Sequence, residues 1–125
     1  MADDRKAFVI KEDDMGEITV AEEVVAIIAG IASTEIEGVS SMSGNITNEI
    51  VAKLGMRNLS KGVKVEMNEN TVNVLVSIIV DYQANVPEVS RKVQERVKTS
   101  IENMTGLNVA EVNVKIAGID VSKDN

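Results

Sequence analysis

Apolar residues recur along this chain with two periods, one near 3.6 and one of 2. From Val24 to Thr34 the sequence reads VVAIIAGIAST without a charge, closed by Glu22 and Glu23 before it and Glu35 after it. At about 100° per residue, Val24, Ile27, Ile28 and Ile31 gather on one side of a helix, and Ala26, Ala29, Gly30 and Ser33 on the other. A surface helix needs one buried stripe. A second, close-packing stripe therefore asks for a second partner, inside the fold or on another subunit. Thr19 and Glu22 have the spacing of a capping box, which starts this helix near Val20, and Gly38 suits its C-terminal cap. Self-association is expected through the small-residue side, Val25, Ala26, Ala29, Gly30 and Ser33. On that reading Ala29→Glu leaves the fold intact and shrinks the particle.

The same reading places a short amphipathic helix over Ile46–Leu59, with Ile46, Ile50, Val51 and Leu54 at helical spacing around Gly55. Two strands follow, one on Val63, Val65 and Met67, the other on Val72, Val74, Val76, Ile78 and Val80. Asn68-Glu69-Asn70 turns between them. A second long helix begins at Asn85–Pro87, buries Val89, Val93, Val97, Ile101 and Met104, and stops at Gly106. Val112, Val114 and Ile116 alternate in a last strand. VSSMSG after Gly38 reads as a short strand or loop, and AFVI at 7–10 as a short edge strand. The spacing of Val24, Ile28, Ala32 and Ile36 matches that of Val89, Val93, Val97 and Ile101, which is generic helix-core spacing. The predicted class is α+β: a mostly antiparallel or mixed sheet of about four strands, two long helices packed on one face, and the short amphipathic helix. The chain divides into an acidic lead (1–15), a single domain (16–121) and a frayed tail (122–125).

Composition changes this picture mainly through what it lacks. The 125 residues contain no His, Cys or Trp, and one each of Tyr, Phe and Pro. Histidine is the common proton shuttle near neutral pH and cysteine the common thiol nucleophile and soft ligand, so most catalytic and metal constellations are excluded. Ser40, Ser41 and Ser43 have no histidine to activate them. The acids around Gly16 lack the spacing of a calcium loop, and Ser60-Lys61-Gly62 lacks the glycine spacing of a phosphate loop. No catalytic residue, metal or cofactor is expected. The acidic opening has no basic n-region, and no apolar run approaches the roughly 20 residues of a bilayer span, so neither a signal peptide nor a membrane span is expected. Net charge is −7, which argues against broad nucleic-acid binding. Within it, Lys53, Arg57, Lys61 and Lys64 form a basic segment free of acids, whereas the first helix carries only acids. That segment is the candidate contact for an acidic partner or for lipid headgroups.

Four segments carry a resemblance: AGIASTEIEGV, KGVKVE, VPEVSRKVQERVK, and MTGL followed by VNVKIAGI. In their order and spacing they resemble the alkaline-shock-protein family of Gram-positive bacteria over nearly the whole core. The resemblance implies a non-enzymatic cytosolic protein of cell-envelope stress and homeostasis, with no catalytic residues to carry over. Some members of that family are held near the membrane by an anchored partner, and others lie beside fatty-acid precursor synthesis and its control. The chain is thus expected to be a homo-oligomeric scaffold with a membrane-anchored protein partner, or else a regulatory module that docks a cytosolic enzyme.

Overall fold

The computed structural model of the chain describes residues 7–44, 60–68 and 71–122. Its elements run β1 (Ala7–Asp13), β2 (Gly16–Ala21), α1 (Glu22–Thr34), β3 (Val39–Met42), β4 (Val63–Asn68), β5 (Thr71–Asp81), α2 (Val86–Thr105) and β6 (Asn108–Asp120). The class is α+β, with the strands divided between a two-stranded hairpin and a four-stranded sheet. The short helix expected at Ile46–Leu59, with Lys53 and Arg57, lies outside the described residues.

The alternation in β5 builds the centre of the sheet. Val72, Val74, Val76, Ile78 and Val80 are all buried, and the residues between them are half-buried. β6 runs parallel to β5 along its whole length, from Thr71↔Asn108 to Asp81↔Asp120. A strand has two edges, so β3 and β4 share the other one. Both are antiparallel to β5, β3 at its C-terminal end and β4 from Val63↔Val76 to Asn68↔Thr71. The sheet is therefore mixed, and its parallel pair requires a crossover, which α2 provides. β3 and β4 meet opposite Ser77, whose N–H donates to the Gly62 carbonyl at 2.7 Å and whose carbonyl accepts from the Ser43 N–H at 2.9 Å. α1 packs against α2, β3, β4 and β5, while α2 packs against α1 and β6.

Three boundaries differ from expectation for physical reasons. Thr19 does not cap α1. It pairs with Val9 inside the β1–β2 hairpin, and the helix starts after Ala21 without a side-chain cap. β1 itself is longer than the expected edge strand, and its Phe8 joins the main core. α1 then ends at Thr34, a turn before Gly38. Gly38 has φ +104° and accepts from the Asp81 N–H at 2.8 Å, and a Cβ there would sit 2.7 Å from a Val89 methyl. The glycine is thus kept for a close approach in the turn into β3.

α2 follows its local signals closely. The Asn85 side chain accepts from the Glu88 N–H at 3.1 Å, Pro87 sits in the first turn, and Gly106 closes the helix in the left-handed conformation. Its buried stripe is Val89, Val93, Val97 and Ile101, and it continues to Thr105. Met104, expected in that stripe, is 69% exposed. Steps of four keep a helical stripe on one side, and the step of three from Ile101 turns Met104 away from it.

Candidate interaction surface

The small-residue side of α1 lies inside the chain. Ala29 and Ser33 are 0% exposed, and Val25, Ala26 and Gly30 are buried with them. The Ser33 hydroxyl donates to the Ala29 carbonyl at 2.8 Å, which satisfies the one polar group on that side. The second partner that this stripe requires is therefore found within the fold. The expected self-association surface of Val25, Ala26, Ala29, Gly30 and Ser33 is corrected accordingly, because buried side chains offer nothing to another copy. The bulky side splits instead. Ile28 is buried, Ile27 and Ile31 are half-buried, and Val24 is 43% exposed. Arg96 of α2 holds Glu35 at the end of α1 through a 2.6 Å ion pair, so one of the first helix's acids is answered inside the chain.

Of the basic segment, Lys61 and Lys64 are described. Both are exposed, Lys61 in the turn before β4 and Lys64 on β4 opposite Leu75. A cleft of about 740 Å³ opens beside them, between the start of α1 and β4, lined by Glu22, Glu23, Ala26, Val63, Val65 and Glu66 among others. Ser60, Lys64, Asn73, Glu111 and Asn113 also line it. Among the described residues no group of three His, Cys, Asp or Glu side chains could hold a metal ion.

The feature that sequence reasoning missed is a row of polar side chains along α2 that fastens β6. Gln94, Lys98 and Glu102 stand four apart, one position on from the buried Val93, Val97 and Ile101. The Gln94 amide donates to the Val112 carbonyl at 2.9 Å, and the Lys98 ammonium donates to the Val109 carbonyl at 3.0 Å. The Glu102 carboxylate accepts from the Val109 N–H at 2.9 Å and from Lys98 at 3.2 Å. Periodicity carries no signal for this role, since polar residues beside a buried stripe usually face water.

The Val109 N–H, and then Lys98, hold the Glu102 carboxyl below its ordinary range. A depressed folded-state pKa means that this group's stabilisation is present above the unfolded value and is lost as pH falls through the folded one. Glu102→Gln should therefore lower stability at neutral pH and flatten its acid dependence below about pH 5. Urea midpoints of both proteins between about pH 3 and pH 7 measure this. Parallel pH profiles would show that the carboxylate does not fasten β6.

β6 has no strand on its outer side among the described residues. Val112 points its carbonyl to α2 and away from β5, so by strand alternation Val114 and Ile116 also direct their backbone groups outward. Further apolar surface lies elsewhere. Met15 at the hairpin tip, Ile18 on β2 and Val24 on α1 are all exposed.

A family model described as the ASP23 family, with a cell envelope-related function, matches residues 10–121. The chain belongs to this family. The match takes in both helices and all strands except the start of β1, in line with the resemblance carried by the sequence segments. Bacillus subtilis YqhY is 36% identical over 109 residues, covering 87% of this chain and 81% of that protein. Spy1614 of Streptococcus pyogenes is 34% identical over 112 residues, 88% of this chain and 93% of that protein. A stress response regulator gls24 homolog of Streptococcus pyogenes is 30% identical over 105 residues, 83% of this chain and 59% of that protein. Among solved structures, the MamM CTD aligns with a TM-score of 0.49 at 13% identity, covering 78% of this chain and 95% of that one, too distant to bear on function. No helix among the described residues is long and apolar enough to cross a membrane.

Proposed function

We propose that this ASP23-family chain is a non-catalytic cytosolic protein of cell-envelope stress and homeostasis that works as a self-associating scaffold, brought near the membrane by an anchored protein partner. The family description supports the envelope setting, and the stress-regulator relative supports the stress setting. The observation that carries the scaffold reading is the outer edge of β6, which no strand covers among the described residues and which α2 side chains hold only at Val109 and Val112. An uncovered strand edge is a template for another strand. The exposed Met15, Ile18 and Val24 favour a second reading, a regulatory module that docks a cytosolic enzyme, for instance one of fatty-acid precursor synthesis, with the exposed Lys61 and Lys64 as a basic contact.

Light scattering from about 5 to about 200 μM separates the two readings. A scaffold gives a mass that climbs above the 13.5 kDa of one chain as concentration rises. A mass that stays at 13.5 kDa throughout removes the scaffold reading and leaves the docking module.

A further inference from the structure

We propose that the outer edge of β6 pairs antiparallel with the same edge of a second copy, about a two-fold axis at Asn113. The inference rests on the scaffold reading and specifies its interface. Side chains of α2 occupy the start of the edge, where both the N–H and the carbonyl of Val109 are taken by Glu102 and Lys98. A register shift between Ile116 and Gly118 breaks the ladder at the other end. Between them lies a short window, Val112 to Ile116, in which the Val112 carbonyl is held by the Gln94 amide and no strand covers the edge among the described residues, long enough for one selective contact and too short for indiscriminate strand addition.

The sequence of that window is complementary to its own reverse. With Asn113 on the axis, Val112 stands opposite Val114 of the second copy, Ala110 opposite Ile116, and Glu111 opposite Lys115. Val112 and Val114 both direct backbone groups outward, so each such pair exchanges two N–H to carbonyl bonds, with the Gln94 amide giving up the Val112 carbonyl. Glu111, Asn113 and Lys115 are exposed on the opposite side of the strand from the half-buried Val114 and Ile116. The two Glu111–Lys115 pairs therefore flank the axis on that exposed side. Shifting the register by two residues in either direction keeps the outward groups facing each other but sets Lys115 opposite Asn113 or Val109. Charge thus selects the centred register. An edge lysine ordinarily discourages pairing. Here it admits a strand that brings a glutamate to the same place.

Charge reversal in the full chain tests this. Glu111→Lys or Lys115→Glu alone sets like charges opposite each other, and each should raise the dimer dissociation constant by at least about tenfold in light scattering. The double variant Glu111→Lys/Lys115→Glu restores opposite charges and should return to within about threefold of wild type. Asn113→Cys, in a chain with no other cysteine, should form a disulfide-linked dimer on mild oxidation, because opposed residues on the axis lie within disulfide reach. Lys64→Cys on β4 should not. An oligomer that ignores all three charge variants overturns this interface while leaving the scaffold reading standing. Single reversals that weaken association without recovery in the double variant also overturn it. A wild-type chain that is monomeric throughout overturns both.

Discussion

Ala29→Glu should unfold this protein rather than release a neighbour from it. Ala29 is fully buried in the middle of α1, and its carbonyl already accepts the Ser33 hydroxyl. A glutamate there meets no buried cation among the described residues, so the carboxylate must either stay ionised without solvent or take up a proton, and its bulk must displace neighbours. Uncompensated buried charges cost about 3–5 kcal/mol, against roughly 5–15 kcal/mol for a whole domain. Val24→Glu, five residues earlier on the open side, should stay within about 0.5 kcal/mol of wild type. Urea unfolding followed by circular dichroism compares the two. If Ala29→Glu keeps the wild-type midpoint and loses only oligomer mass, the small side of α1 is an interface after all.

Gly62→Ala should be almost as damaging, for a reason unrelated to backbone conformation. A Cβ at Gly62 would lie 2.8 Å from the Ser77 carbonyl oxygen and 2.9 Å from that of Ser43, with the Met42 methyl at 3.2 Å. The methionine can swing away. The two carbonyls cannot, since Ser77 is bonded through both its N–H and its carbonyl to the ends of β4 and β3. Relief therefore means opening the junction where two strands share one edge of β5, and overpacking of this kind costs about 1–3 kcal/mol or more. At Gly106 a Cβ meets nothing within 4 Å, although φ is +78°. Gly106→Ala carries only the left-handed penalty of about 1 kcal/mol. A smaller loss at Gly62 than at Gly106 in chemical denaturation would show that the junction can relax.

What could be read from the sequence was what local chemistry decides. Asn85, Pro87 and Gly106 bracket α2, and the steps of four from Val89 to Ile101 name its buried stripe without reference to any other element. β5 announced itself by strict alternation. What depended on distant partners went astray. Thr19 and Glu22 have a legitimate capping geometry, but pairing of β2 with β1 took Thr19 into a strand. The all-round apolar character of α1 was visible, yet which side faces outward was not, because α1 touches four strands and α2 at once. The fastening of β6 by Gln94, Lys98 and Glu102 was equally hidden, since their hydrogen bonds reach 7 to 18 residues along the chain. Likewise nothing local to Glu111 and Lys115 tells that they share a strand edge that no strand covers among the described residues.

Amide hydrogen exchange, followed by NMR at several protein concentrations, tests most directly where copies of this chain meet. Protection of the Val114 and Ile116 amides should rise with concentration, while the α1 amides, sealed in the monomer, hold steady. Concentration-dependent protection confined to the hairpin or to α1, with β6 unchanged, would contradict an edge-to-edge assembly.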